Sequence, residues 1–177
     1  MEPAPLTISV IYHFPCFDGL FSCLPLHLYY HSFPATTVRY YPYRTNKPFT
    51  LTIQPADIVY FLDCIGTKEM LETVLETARE IVILDHHYQV KEIVDSWGVA
   101  NDSPYVAQKI NFSYVRTDIC AVRIAWAYFS RLNDRPLILL SNKVKSLLRV
   151  FDYIEDRDLY RNVLPDTREA IAGLRCL

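Results

Sequence analysis

Residues 57–87, which read DIVYFLDCIGTKEMLETVLETAREIVILDHH, contain two apolar runs separated by a segment with helical periodicity. The runs Asp57 to Asp63 and Ile81 to Leu84 are rich in β-branched and apolar residues, which is typical of buried strands. Between them, Gly66–Thr67 predicts a helix start with Thr67 as the N-cap. The apolar face of this helix consists of Met70, Leu71, Val74, Leu75 and Ala78. A strand, a helix and a second strand in this order predict a parallel βαβ unit.

The remaining sequence continues the alternation of strands and helices. Leu6 to His13 predicts a buried first strand, and a helical pattern follows Asp18–Gly19, with Pro25 inside it as a candidate kink. The predicted apolar face of that helix is Leu20, Cys23, Leu24, His27, Leu28 and His31. Further strand candidates are Thr37–Tyr41, Trp97–Ala100 and Tyr105–Asn111. Further predicted helices are Ile119–Arg131, with Asp118 as its cap, and Leu137–Tyr153. We therefore expect an α/β fold with a mostly parallel sheet flanked by helices.

The composition narrows the class of protein. The chain has 177 residues, of which 51% are hydrophobic and 21% charged, values that indicate one globular domain. Only 4 residues are glycine, which excludes the glycine-rich loops that bind nucleotide phosphates. A net charge of −2 argues against a large surface for duplex nucleic acid.

The cysteines and the N-terminal sequence indicate the cellular compartment that we expect for the protein. The chain has 5 cysteines and no C-x-x-C pair, which indicates reduced thiols rather than a disulfide framework or a zinc knuckle. We expect a cytoplasmic protein without a signal peptide, and no apolar run is long enough to predict a membrane span.

Ionisable residues follow three of the predicted strands, at the point where each strand ends. These residues are His13, Asp63 and Asp85, and Asp85 is followed by His86 and His87. Parallel sheets bind ligands at the carboxyl ends of their strands, so we expect these side chains to meet there. Each has an ordinary alternative role, since an aspartate after a strand is often a turn residue and adjacent histidines often lie in a surface loop.

Two further segments carry candidate site residues. Asp18 lies at a predicted helix start, where a capping role is the simpler interpretation. Phe151 to Leu159, FDYIEDRDL, has five charged residues in nine and reads most simply as a solvated helix end. Its spacing also allows one carboxylate to turn inward, while Arg157 stays free for a phosphate or an ion pair.

Convergence of these segments would require cations. Two carboxylates ~4 Å apart repel by about 4 kcal/mol at an effective dielectric of ~20. Two divalent ions relieve this repulsion and form a centre that cleaves phosphoesters. Aspartate and histidine without clustered thiols favour Mn²⁺ or Mg²⁺, with Mn²⁺ preferred because of the imidazoles, and Zn²⁺ and Co²⁺ stay open as alternatives.

Four segments in order, HFPCFDG, YFLD, LDHH and IEDRDLYR, resemble the four motifs of the DHH phosphoesterase superfamily. That superfamily includes RecJ-type exonucleases, hydrolases of small oligonucleotides and cyclic dinucleotides, and family II inorganic pyrophosphatases. The most similar subgroup has the first motif H-x-x-C-P-D-G. The resemblance extends from His13 to Leu174 and implies that residues 1–177 form the N-terminal DHH catalytic domain.

The resemblance implies a role for each motif residue. The implied metal ligands are His13, Asp18, Asp63, His86 and Asp156, with Asp158 as the alternative to Asp156. His87 would contact the scissile phosphate, and Asp85 would orient a histidine; these two form the implied catalytic pair. A hydroxide activated by two metal ions would then attack phosphorus, and Arg157 is the candidate substrate-binding residue.

Departures from the family pattern qualify these expectations. Cys16 stands near a position where many relatives have a second aspartate, which would leave the second ion with one ligand fewer, and Phe17 replaces the usual proline. Relatives usually carry a C-terminal domain of the DHHA1 type that grips the substrate, and we expect that domain to be absent here.

We expect hydrolysis of a short nucleotide or oligonucleotide phosphodiester. The alternatives are a phosphomonoesterase or pyrophosphatase that uses the same metals, or a truncated, catalytically weak or inactive metal-binding relative. The expected partner is a small phosphorylated or oligonucleotide substrate, without duplex nucleic acid or a membrane.

Overall fold

A computed structural model describes residues 5–96, 108–132 and 141–176. The strands within these ranges are β1 Leu6–His13, β2 Thr36–Tyr43, β3 Ala56–Leu62, β4 Ala78–Leu84 and β5 Ile110–Asn111. The helices are α1 Phe17–Tyr30, α2 Lys68–Thr77, α3 Tyr88–Ser96, α4 Ala121–Leu132, α5 Ser141–Asp158 and α6 Thr167–Leu174.

The strands form one sheet in the order β2-β1-β3-β4-β5, and all four pairings are parallel. This arrangement confirms the predicted α/β class with helices around a parallel sheet. The chain passes from β1 to β2 on one side and then returns to place β3 on the other side of β1. Between β1 and β3 the direction of the strand order reverses, and such a switch point opens a crevice at the carboxyl ends of the strands.

Side chains from the two faces of the sheet form two separate cores. In β3, Tyr60 and Leu62 face the core that includes α1, α4 and the end of α5. Val59 and Phe61 face the opposite core, which includes α2. The strands therefore read as continuous apolar runs, because both faces are covered.

The predicted β1 is confirmed at both ends, and Thr67 is confirmed as the N-cap of α2, since its Oγ1 accepts a hydrogen bond from Met70 N at 3.2 Å. The predicted apolar face of α1 is confirmed only in part, because Cys23, Leu24 and Leu28 pack against the core but His27 and His31 are exposed. Leu20 is 43% exposed, whereas the buried residues are Asp18, Gly19, Ser22, Pro25, Leu26 and Tyr30. The buried Asp18 and Gly19 anchor the first turn against α4 and β1, and this contact sets the rotation of the whole helix.

The prediction that Asp118 caps the fourth helix, α4, is wrong. Asp118 accepts a hydrogen bond from Arg116 Nε at 3.0 Å, and α4 begins only at Ala121. The carboxylate that accepts its first N–H groups comes from Asp18, more than one hundred residues earlier in the chain. Tertiary contact has replaced the local cap that the sequence pattern predicts.

The other expectations have mixed outcomes. The strand candidate Trp97–Ala100 lies outside the described residues, and the described part of Tyr105–Asn111 contributes only β5. The described helix near Leu137–Tyr153 begins at Ser141 and continues to Asp158. None of the described helices combines the length and the apolar character needed to cross a bilayer.

Candidate metal centre

The register of the sheet brings three ionisable residues to the same level. Tyr12 pairs with Leu62, and Leu62 pairs with Leu84. His13, Asp63 and Asp85 each come one residue later, so they leave the carboxyl ends of β1, β3 and β4 side by side. The expected convergence of these strand ends is present at the switch point.

Asp63 lies at the centre of this group and is only 2% exposed. Its Oδ2 lies 3.1 Å from His13 Nδ1, and its Oδ1 lies 3.2 Å from His86 Nε2 without hydrogen-bond geometry. The backbone of Asp63 is left-handed, with φ 58°, a conformation that aspartate adopts more readily than most residues. Burial acts to raise the pKa of Asp63, but the contacts with His13 and His86 outweigh it and hold the pKa below its usual value.

His86 faces three carboxylates through one ring nitrogen. Its Nε2 lies 3.1 Å from Asp158 Oδ2, 3.2 Å from Asp63 Oδ1 and 3.6 Å from Asp18 Oδ2. Burial lowers the pKa of His86, yet these carboxylates dominate and raise it to about 11. The imidazole therefore occupies a site whose surroundings demand a positive charge.

Asp85 contacts the backbone N–H groups of both His86 and His87, and also the ring of His87. Its Oδ1 accepts hydrogen bonds from His86 N at 2.6 Å and His87 N at 3.1 Å, and it lies 2.8 Å from His87 Nδ1. The hydrogen bond to Asp85 raises the pKa of His87. This geometry fits the implied role of Asp85 as the residue that orients a histidine, and it leaves Nε2 of the half-exposed His87 free of that contact.

Asp18 is fully buried, and its carboxylate lies between the N-terminus of α4 and the other carboxylates of the site. Its carboxylate accepts hydrogen bonds from Ala121 N at 2.6 Å and Val122 N at 2.7 Å, at the positive end of the α4 dipole. The same carboxylate lies near His86. Burial and the charges of Asp63 and Asp158 raise its pKa well above the usual value. Asp18 is therefore both a helix cap and a member of the site.

Of the two candidate carboxylates Asp156 and Asp158, the structure brings only Asp158 to the cluster. The carboxylate of Asp156 accepts hydrogen bonds from Val163 N, Leu164 N and Thr167 Oγ1, at the turn that leads into α6. Asp158 instead lies against His86. Residues two apart on a helix point about 200° apart, so only one of this pair faces the site. Asp158, the alternative, is the one brought to it.

Cys16 is the site residue that the sequence interpretation left without a role. It precedes α1, and its Sγ, His13 and Asp63 form a group of potential ligand atoms that all lie within 4.8 Å of one another. Burial and then the carboxylate of Asp63 raise the pKa of this thiol far above its usual value. The available signal was its position three residues after His13 and two before Asp18.

Three overlapping groups of side chains have the composition and spacing to hold metal ions. They are Asp63, Asp85, His86 and His87; His13, Cys16 and Asp63; and Asp18, His86 and Asp158. Buried Asp63 Oδ1 and His86 Nε2 have no hydrogen-bond partner, as expected for atoms that ligate a metal ion. The residues present therefore fit divalent metal binding.

Two clefts open on the cluster. One, of about 480 Å³, is lined by Cys16, Asp18 and Asp158 together with Phe14, Pro15, Phe17, Leu20, Ile154, Arg157, Ile171 and Arg175. The other, of about 360 Å³, is lined by residues that include His13, Asp63, Asp85 and His87. Arg157 thus lies beside the cluster, and among the described residues it forms a cation–π contact with Tyr160 rather than an ion pair.

No protein-family model matches the sequence, and no curated protein matches it. Among solved structures, the chain is similar to an exopolyphosphatase-related protein from Bacteroides fragilis, with a TM-score of 0.46 and 15% sequence identity. The match covers 75% of this chain and 41% of that protein, so this chain spans less than half of its length.

Proposed function

We propose that this protein is a divalent-metal-dependent phosphoesterase of the DHH type that hydrolyses the phosphodiester bond of a short nucleotide or oligonucleotide. The observation that carries the proposal is the pair of orphaned buried atoms, Asp63 Oδ1 and His86 Nε2, inside a cluster of carboxylates and imidazoles. Buried polar atoms normally have partners, and a metal ion supplies one here. The order of the four sequence motifs supports the same reaction class.

We assign the ligand sets from the proximity of the donor atoms. His13 and Asp63 are assigned to one ion, and Asp18, His86 and Asp158 to a second. Asp63 contacts both His13 and His86, so it lies between the two groups. Divalent ions in such a centre supply Lewis-acid chemistry for phosphoryl groups. Mn²⁺ fits the second set best, because its donors are carboxylates and an imidazole.

His87 is the proposed phosphate contact. Its Nδ1 is held by Asp85, which fixes the ring and leaves Nε2 directed away from that carboxylate. The raised pKa of His87 favours the protonated ring, which donates a hydrogen bond from Nε2 to a phosphate oxygen. His87 thereby stabilises negative charge as it develops on the phosphate, and Asp85 acts through it as a positioning residue.

The two clefts favour a diester over inorganic pyrophosphate. A phosphodiester carries an organic group on each side of the phosphorus, and two clefts with different linings open on the cluster. The first of them is lined by Phe14, Phe17 and aliphatic side chains, which suit a base or sugar. Arg157 and Arg175, which also line this cleft, are placed to contact a further phosphate.

A substrate panel tests the proposal. The protein is assayed with Mn²⁺ on a dinucleotide, a chromogenic phosphodiester, a phosphomonoester and pyrophosphate. We expect Mn²⁺-dependent cleavage of the diesters, and a loss of roughly 1,000-fold in Asp63→Asn, because the ions that would stabilise charge on the phosphate lose their central carboxylate ligand. The matched control is Asp57→Asn, since Asp57 contacts Thr7 at the opposite end of β3.

Three results would contradict the proposal. Full activity in Asp63→Asn, or hydrolysis unaffected by a chelator, would rule out the metal centre as the active site. Cleavage of pyrophosphate alone would support the alternative of a pyrophosphatase. Tight Mn²⁺ binding without turnover of any of the four substrates would assign the chain to the inactive metal-binding alternative.

A further inference from the structure

We propose that Cys16 is a thiolate ligand of the ion held by His13 and Asp63, so that this half of the centre selects a thiophilic metal such as Zn²⁺ or Co²⁺. The inference rests on the proposed metal centre and deepens it. It changes the expected chemistry, because aspartate and histidine alone favour Mn²⁺ or Mg²⁺.

The first observation is the geometry of the donor atoms. The sulfur of Cys16, a ring nitrogen of His13 and a carboxylate oxygen of Asp63 all lie within 4.8 Å of one another. Zinc–ligand bonds measure about 2.0–2.3 Å, so small side-chain adjustments bring three such donors around a single ion. One sulfur, one nitrogen and one oxygen donor leave a fourth position open for substrate or water, as in catalytic zinc sites.

The second observation is independent of the cysteine. Asp63 is 2% exposed, and its Oδ1 has no hydrogen-bond partner although Oδ2 contacts His13. This oxygen lies 3.2 Å from His86 Nε2 without accepting a hydrogen bond, so it is available as a metal ligand. The same carboxylate belongs to the group that contains Cys16.

Contacts on both sides of Cys16 in the chain fix its position. After β1 ends at His13, Phe14 N donates a hydrogen bond to Tyr43 O at 2.7 Å, which fixes the exit from the strand. Gly19 then brings the first turn of α1 against the backbone of His13, where any side chain would clash with the carbonyl oxygen. The residue that precedes the helix is therefore pinned next to the strand end.

The contact made by the Cys16 thiol differs from those made by the thiols of Cys23, Cys64 and Cys176. The thiols of Cys23, Cys64 and Cys176 each contact a backbone carbonyl, at 3.6–3.7 Å. The thiol of Cys16 contacts the carboxylate of Asp158 instead, at 3.9 Å. Nearby carboxylates repel a thiolate, and a cation bound beside it would offset that repulsion. On binding, sulfur forms the bond to the metal and the thiol proton is released to solvent.

Cobalt spectroscopy tests the assignment without relying on turnover. Thiolate coordination to Co²⁺ produces a charge-transfer absorption band in the near ultraviolet, which oxygen and nitrogen ligands do not produce. We expect the full chain titrated with Co²⁺ to show this band, and Cys16→Ser to lose it together with about 10-fold or more of Zn²⁺ affinity. Cys23→Ser, which changes a neighbouring thiol in α1 outside the cluster, is the control and should retain the band.

A second variant separates loss of a ligand from loss of the fold. Cys16→Asp restores an anionic donor, so we expect it to bind Co²⁺ without the band and to shift the competition between metals toward Mn²⁺. Circular dichroism checks that each variant is folded. A band that survives in Cys16→Ser, or stoichiometric Co²⁺ binding by the unmodified protein without a band, would overturn the inference.

The two proposals fail in different ways. Diester hydrolysis by a protein that shows no thiolate band would leave the proposed function standing and remove the role of Cys16. A thiolate band without hydrolysis of any substrate would support Cys16 as a ligand and contradict the proposed function.

Discussion

At the residue scale, two aspartates in the same helix have opposite tasks. Asp156 is 3% exposed and is satisfied by hydrogen bonds from Val163, Leu164 and Thr167. Asp158 faces His86 and completes a potential ligand group with Asp18. A carboxylate that already accepts three hydrogen bonds stabilises a turn, and one that faces an imidazole among other carboxylates is available to a cation.

Replacing each aspartate by asparagine should separate the two tasks. We expect Asp158→Asn to weaken Mn²⁺ binding by roughly 100-fold, by analogy with the loss of other metal-site groups. We expect Asp156→Asn to lower the melting temperature by several degrees and to leave the Mn²⁺ dissociation constant within a factor of about three. Calorimetric titration and thermal unfolding of both variants measure these effects. The reverse pattern would return the ligand role to Asp156.

The Asp156 effect should also depend on pH. Burial raises the pKa of Asp156, but hydrogen bonds from Thr167, Val163 and Leu164 prevail and hold it below the usual value of 3.8. Its stabilisation is therefore fully present above pH 3.8 and is lost as the pH falls through the lower, folded-state pKa. The difference in unfolding free energy between the wild type and Asp156→Asn should shrink on acidification below that value.

At the scale of elements, the site depends on how closely α1 approaches β1. Gly19 lies in the first turn of α1, and a Cβ there would clash with the carbonyl oxygen of His13 and come within 2.9 Å of its Cβ. The same turn carries Asp18, whose carboxylate caps α4. The close contact between α1 and β1 thus positions two proposed ligands, Asp18 in the helix and His13 in the strand. It also positions the start of α4, which Asp18 caps.

Gly19→Ala should therefore disturb stability and metal binding together. We expect a loss of about 1–3 kcal/mol in unfolding free energy from overpacking, with weaker Mn²⁺ binding because His13 and Asp18 move apart. Gly173→Ala is the matched control, since a Cβ at that position in α6 meets no atom within 4 Å. Alanine there should stabilise the protein by up to about 1 kcal/mol and leave metal binding unchanged. Chemical denaturation and Mn²⁺ titration of both variants distinguish the two cases.

At the scale of the whole molecule, the clustered carboxylates of the site lower the stability of the fold. Asp18, Asp63 and Asp158 lie around one imidazole where the two sheet cores meet the strand ends, and their mutual repulsion opposes folding. A divalent ion bound by the proposed ligands would relieve that repulsion in the folded arrangement. The free protein should therefore be less stable than the loaded one by an amount set by the metal concentration.

Removal of metal should thus lower the melting temperature. Mn²⁺ at 100 times its dissociation constant should add about 2.7 kcal/mol to the unfolding free energy. We expect a chelator to abolish this gain in the wild type and to have little effect on Asp63→Asn, which lacks the central carboxylate. Thermal unfolding at several Mn²⁺ concentrations provides the measurement. A melting temperature that does not respond to Mn²⁺, Mg²⁺ or Zn²⁺ would contradict a metal centre in the folded chain.

Much of this architecture follows from local sequence patterns. The apolar runs of β1, β3 and β4 predict buried strands, and the ionisable residues directly after them predict where a site forms, because parallel strands share one carboxyl edge. The Thr67 cap depends on neighbours three residues apart, so the sequence alone is enough to predict it. These features depend on residues close together in the chain.

The tertiary structure decided what local patterns leave open. Which face of α1 is buried, whether Asp156 or Asp158 reaches His86, and which carboxylate caps α4 all depend on contacts between distant segments. Helical periodicity makes Asp156 and Asp158 point in opposite directions but does not say which direction is inward. The sequence by itself determined the chemistry available at the strand ends. Tertiary packing determined which side chains meet at that site, because only the folded chain brings Cys16, Asp18 and Asp158 beside Asp63 and His86.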